Sequence, residues 1–310
     1  MFKKTLIAAA VATMASSVAM ADVKIGGKVE QQQQKSEAGE WSGWSDVRLT
    51  VSGDEDLGNG MSAFFKFQDE MGLRTGAGTQ QYDQLVGLKS SAGTLIMGKV
   101  EDFTESKVMS MTDKTMGAGG VEIGANLGRN EGAIAYVSPA FNGLTVGVAG
   151  YALSAGGGSE DAFDAVDLGL MYSNGPLSVN VSFENDKRAA TAATAATAAF
   201  DSGDSTSIGA SYAAGDLTVA ATQQMTSYDT AGKADEDDTS IAVTYNMGNN
   251  KVVVGWNDNE TSAGATVTDT NSNVIELQHS FSKTTAAYVQ FYNTDVAAGD
   301  TTSFGLQHSF

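Results

Sequence analysis

The sequence predicts an all-β protein, an antiparallel sixteen-stranded β-barrel that crosses a membrane, and three observations carry that prediction. Stretches of about ten residues alternate apolar and polar side chains with period two, the pattern of a strand with two unlike faces. In the last ten residues Thr302, Phe304, Leu306, His308 and Phe310 share one face, and Ser303, Gly305, Gln307 and Ser309 share the other. Leu177, Val179, Val181 and Phe183 oppose Ser178, Asn180, Ser182 and Glu184 in the same way, as Ile241, Val243, Tyr245 and Met247 oppose Ser240, Ala242, Thr244 and Asn246. The second observation is that the polar face is made of Ser, Thr, Gly, Ala, Asn and Gln, which cannot fill a dry core. A soluble sandwich buries its apolar face against a second sheet and carries many Lys and Glu outside. A transmembrane barrel turns the apolar face to lipid and the small polar face to water, which suits a chain with 18% charged residues. Third, no stretch after residue 21 approaches the ~20 consecutive apolar residues of a membrane-spanning helix. A sheet in hydrocarbon must close, because an open edge leaves its backbone groups unsatisfied.

In chain order, residues 1–21 read as a cleaved secretory signal: Lys3 and Lys4, an alanine-rich apolar run, then Ala19-Met20-Ala21 as the small-x-small cleavage site. Residues 22–310 then form a single barrel domain. Its strands are expected near 23–34, 45–53, 61–70, 82–90, 94–100, 132–138, 143–153, 164–173, 177–185, 205–213, 216–227, 239–247, 251–259, 272–281, 284–293 and 301–310. Short turns at 91–93, 173–176, 214–216, 248–250 and 282–283 alternate with longer polar loops, the two unlike rims of an outer-membrane barrel. Pro139 and Pro176 sit in such turns. An even strand count places both termini on the short-turn, periplasmic side. Two connections stand out. Residues 189–200 repeat Ala-Ala-Thr and read as an external loop. Residues 101–129 form the longest gap in the alternation, and gaps of that size are usually functional.

Charge and composition exclude several functions. The whole chain carries −19 and no cysteine, and without Lys3 and Lys4 the mature part has 16 basic and 37 acidic residues, a charge of −21. Such a chain lacks the basic stripe that nucleic-acid binding needs. Disulfides, thiolate metal sites and cysteine nucleophiles are absent. His279 and His308 fall in a repeated LQHSF at 277–281 and 306–310 without convergent ligands, so no metal and no cofactor is expected. Each histidine alternates away from the serine beside it, so neither pair is poised for proton transfer, and no enzyme activity is expected. A substrate-specific channel, an adhesin or a barrel enzyme remain the alternatives. By parity only Tyr151, Tyr288 and Tyr292 turn inward, few for a sugar-stacking lumen. Phe65, Phe67, Tyr172, Tyr245, Trp256, Phe281, Phe291 and Phe310 lie near strand ends and read as an interfacial girdle.

RLTVSGDEDLGNGMSAFF at 48–65 resembles the second hairpin of the Gram-negative general diffusion porins. GTLIMGK at 93–99 is similar to that family's strand leading into its third loop, with Lys99 where the family has Arg. RNEGAIAYVSPAFNG at 129–143 resembles the segment leaving that loop, with Gly132 and Ala133 at positions usually Asn and Ser, and GLQHSF at 305–310 resembles the closing strand. The resemblance implies an outer-membrane homotrimer of sixteen-stranded barrels, each with its third loop folded into the lumen to constrict it. It further implies passive diffusion of small hydrophilic solutes and ions, contact with lipid and lipopolysaccharide, and a second loop around 71–81 that reaches a neighbouring subunit. Phe310 would serve the outer-membrane assembly machinery as a recognition signal.

In that family a basic ladder on the wall faces acids on the loop. Here 11 of the 16 mature cations lie between residues 22 and 130, and parity turns Lys24, Lys28, Arg48, Lys66 and Arg129 inward. Lys99 falls with Leu95 and Met97 on the lipid face unless a bulge at Gly98 turns it. Glu101, Asp102, Glu105 and Asp113 are the expected acidic side. With local charges nearly balanced and the excess acid in the mouths, weak cation selectivity is expected.

Overall fold

The computed structural model describes residues 22–72, 79–124, 127–152, 162–187, 202–229, 233–263, 266–297 and 299–310. The expected signal at 1–21, the Ala-Ala-Thr run at 189–200 and residues 73–78 of the second loop lie outside the described residues. The strands are β1 Asp22–Ser36, β2 Trp41–Gly58, β3 Met61–Gly72, β4 Thr79–Ser90, β5 Gly93–Glu101, β6 Arg129–Val137, β7 Leu144–Tyr151 and β8 Ala165–Asn174. They continue as β9 Leu177–Asp186, β10 Gly203–Ala214, β11 Leu217–Tyr228, β12 Asp235–Met247, β13 Asn250–Ala263, β14 Thr266–Ser280, β15 Thr285–Thr294 and β16 Thr301–Ser309. Each pairs antiparallel with its chain neighbours, and β16 pairs with β1 to close a sixteen-stranded barrel. The seam runs from Ser36 opposite Thr301 to Lys28 opposite Ser309, and Gly27 and Phe310 exchange two further backbone hydrogen bonds of 3.0 Å. No sheet edge is left unpaired, which is the condition for a sheet in lipid.

The two faces invert the arrangement of a soluble protein. Ile25 is 69% exposed, Val86 56% and Ile275 50%, whereas Gln32, Ser207, Ser240 and Glu276 are fully buried. Outward apolar rows thus form a belt for lipid, and the interior is polar. One of the two-residue turns, between β2 and β3, places Asn59 and Gly60 at φ of 53° and 74°, the left-handed conformations that Asn-Gly supplies for such a hairpin.

Several strands are longer than the sequence predicts. β2 begins at Trp41 instead of 45 and β14 at Thr266 instead of 272. The reason is physical: apolar alternation marks only the part of a strand that meets lipid, while pairing continues beyond it as a polar ribbon. β12 likewise starts at Asp235 instead of 239, so the acidic run Asp235 to Asp238 is strand.

Candidate functional site

The connection from β5 to β6 opens with a π-helical turn, Thr104–Val108, and a 3₁₀ turn, Met109–Met111. Its two ends are tied by Asp102, whose carboxylate accepts from Glu105 N at 2.6 Å and from Gly128 N. From there the connection bonds to one strand after another. Phe103 N donates to Asp167 of β8 at 2.6 Å, and the Thr104 hydroxyl meets Ser182 of β9 at 2.6 Å. Thr112 meets Thr222 of β11 at 3.1 Å. Glu276 of β14 accepts from Met116 N at 2.8 Å and Gly117 N at 2.9 Å. Ala118 N donates to Gln32 of β1, Gly119 N to Gln290 of β15 and Gly124 N to Asp238 of β12. Asp167, Ser182, Thr222, Asp238, Glu276, Gln290 and Gln32 are all buried and belong to the polar rows, not to the exposed apolar ones.

Small wall residues complete the seat. Gly147 and Gly169, paired across β7 and β8, leave room for the Phe103 ring: a Cβ at Gly147 would stand 2.2 Å from its Cζ, and one at Gly169 2.7 Å from its Cγ. Gly209 of β10 receives Met111 and Gly255 of β13 receives Val121 in the same way. Phe103 and Val100 pack with Ala133, Ala135, Ala149, Tyr151 and Ala165 into the main apolar cluster at the root of the connection.

Two arginines dominate the wall near that root. The Arg48 guanidinium donates to Glu70 from Nε at 2.8 Å and Nη2 at 2.5 Å, and to the Tyr82 hydroxyl at 2.7 Å. Arg129 pairs with Glu101, its register partner, and with Glu105 at 2.7 Å. The Tyr82 ring lies 4.0 Å from Arg48 Cζ and 4.1 Å from Arg129 Cζ. Lys66 pairs with Asp83 at 2.6 Å and Lys28 with Glu30 at 2.8 Å. Lys99 is turned off the lipid face: the register shifts between Gly98 and Val100, Gly98 stands at φ 133°, and the lysine lines a cavity of about 560 Å³ with Gln80, Gln81, Tyr82, Glu105, Gly128 and Arg129.

Not every expected residue stands where the sequence puts it. Lys24 is not with the other cations; it is an exposed residue near the start of β1, within 3.9 Å of Asp22 and 3.7 Å of Asp54. Parity gives a side chain's face but not its depth. Asp102 is fully buried and holds backbone instead of facing water. Glu101 and Glu105 touch Arg129 directly. Asp113 is exposed, and the cations whose charge it feels are Lys114 and Lys28, not the two arginines. Tyr82, Glu70 and Asp83 were not singled out by the sequence. Tyr82 and Asp83 together oppose Gln68 alone, since Phe67 pairs with Gln84 and Asp69 with Gln81. That bulge sends two consecutive residues to one face and breaks the parity on which the reading rested.

Among the described residues no group of three or more His, Asp or Glu is placed to hold a metal ion. The family model for Gram-negative porins matches residues 8–299. The chain belongs to the Gram-negative porin family. An outer membrane porin protein of Bordetella pertussis is 29% identical over 161 residues, a match spanning 44% of this chain and 41% of that protein, so less than half of the relative's length is covered. Among solved structures, Salmonella typhi OmpF in complex with daunomycin aligns with TM-score 0.75 at 14% identity, over 93% of this chain and 97% of that one. The anion-selective porin of Comamonas acidovorans aligns at 0.73 and 21% identity, over 94% and 100%. The trimer form of Vibrio cholerae OmpT aligns at 0.72 and 15%, over 94% and 99%. At these identities the structural likeness speaks for the fold. The porin is a β-barrel of the Gram-negative outer membrane.

Within the porin's connection, two carboxyl groups near its root have raised pKa values. Burial, and next the charge of Glu184, push the Asp102 pKa well above the ordinary range. Burial also raises Glu105, and the Arg129 guanidinium opposes that rise. Both acids are therefore sensitive to how tightly the connection is seated.

Proposed function

We propose that the porin forms a water-filled channel for passive diffusion of small hydrophilic solutes and ions, narrowed by its 102–128 connection. The observation that carries this reading is the run of hydrogen bonds from that one connection to the polar face of seven strands, β1, β8, β9, β11, β12, β14 and β15. A segment so bound crosses the interior and reduces its free section. Solutes then pass between it and the wall of Arg48, Tyr82 and Arg129, with Lys28, Lys66 and Lys99 nearby.

The channel is weakly cation-selective. Two guanidiniums are held by three carboxylates, Glu70, Glu101 and Glu105, so the wall carries little free positive charge. The −21 of the mature chain enriches cations at the mouths, over a screening length of about 8 Å at physiological salt. The barrel acts as a channel and not as an enzyme; His279 bonds to Asn250 and His308 to Thr285, neither to a serine. Residues 1–21 are removed on export, the mature chain assembles as a homotrimer in contact with lipid and lipopolysaccharide, and Phe310 is read by the assembly machinery. Uptake of sugars of graded size into proteoliposomes tests the channel itself. Size-limited swelling is expected, and swelling no faster than in empty liposomes would overturn it.

A further inference from the structure

Resting on that channel reading, we propose that Tyr82 is a specificity-determining residue: an uncharged spacer that keeps the guanidiniums of Arg48 and Arg129 presented to the passage. Each guanidinium carbon lies about one ring contact from the same centroid, at 4.0 and 4.1 Å, so both cations are anchored to one neutral side chain. The anchor is built into the sheet. The bulge in β4 against β3 turns Tyr82 to the wall's polar face along with Asp83, whose carboxylate binds Lys66. The Tyr82 hydroxyl accepts from Arg48, and Arg129 Nε is buried with no hydrogen-bond partner among the described residues, which leaves the ring as a principal contact on that side of the guanidinium.

The carboxylates pull the other way. Glu70 on β3 holds Arg48, while Glu101 and Glu105, at the other end of the cluster, hold Arg129. Both arginines are paired with those acids already, and the ring fixes where the pairs stand: without it each guanidinium follows its own carboxylates toward opposite ends of the cluster, and the passage loses the two side-by-side cations that slow cations and admit anions. Tyr82 thus acts through the arginines and is a positioning residue. Its π-face matters more than its hydroxyl, because Glu70 already holds Arg48 with two bonds.

The test is the reversal potential of single channels in a potassium chloride gradient for wild type, Tyr82→Phe, Tyr82→Leu and the double variant Arg48→Gln with Arg129→Gln. The Phe variant should keep the wild-type cation-to-anion permeability ratio. The Leu variant, of comparable bulk but no π-face, should raise it by about 2- to 5-fold, the range a partly exposed cation–π contact is worth. Wild-type far-ultraviolet circular dichroism and protease resistance confirm that each variant's barrel is intact. A Leu variant equal to wild type, or a Phe variant shifted as far as Leu, overturns the proposal. Failure of the channel reading looks different: wild type carries no current, or the double arginine variant leaves the reversal potential unmoved.

Discussion

Asp102 accepts hydrogen bonds from both ends of the long connection, so its carboxyl acts on the channel's shape and not on passing ions. Its raised pKa gives this clasp a pH dependence. The seated form binds its proton more tightly than the released form, so the seated form is most stable below the ordinary carboxyl range and loses that advantage as pH rises through the raised value. The thermal midpoint of wild type should therefore fall, relative to that of Asp102→Asn, as pH rises above the ordinary carboxyl range; parallel curves would remove Asp102 from this role. In the proposed channel Arg48 and Arg129 act on the ions. Replacing both with Gln should move the reversal potential toward cations, and replacing Glu105 and Asp113 with neutral amides should move it toward anions. Unmoved potentials in both sets would place the narrowest point elsewhere. The residues that the sequence exposed were those that obey strand parity: Arg48 and Arg129 lie where alternation puts them. Tyr82 escaped because a bulge hides its face, and Asp102 was misread because a position in a loop says nothing about burial.

At the level of elements, the seat of the connection is a set of glycines facing large side chains. Filling one should unseat it: Gly147→Val sets side-chain atoms into the space of the Phe103 ring, an overpacking that costs about 1–3 kcal/mol. Current noise and protease cleavage within 102–128 should both rise, and a variant as quiet and resistant as wild type would show that the Phe103 contact is dispensable. The closing strand has a different task. Removing residues 301–310 leaves β1 and β15 unpaired in lipid, so membrane insertion should be lost. Phe310→Asp leaves the ladder intact and changes only the last side chain; wild-type levels of inserted protein in cells would remove Phe310 from assembly. Strand number, order and facing rows were legible because lipid imposes a strict period of two. Strand ends were not, since pairing outruns the apolar band, as at Trp41 and Asp235. The seat of the connection was invisible for another reason: an inward glycine is unremarkable until the side chain above it is known.

For the whole molecule, closure and charge decide behaviour. Sixteen paired strands enclose a polar interior, and one connection is hydrogen-bonded to seven of them with its own ends clasped. On the proposed reading, balanced ion pairs at the wall and an acidic excess elsewhere give a field that is weak at the centre and cation-attracting at the mouths, hence a selectivity that salt should erode. The central claim, an ion-conducting pore whose selectivity is set by that balance, is tested most directly by the reversal potential of the purified protein in planar bilayers across salt gradients of low and high mean concentration. The account predicts stepwise channels with a modest cation preference that weakens as salt rises. Membranes without conductance steps, or channels that clearly prefer anions at low salt, would contradict it.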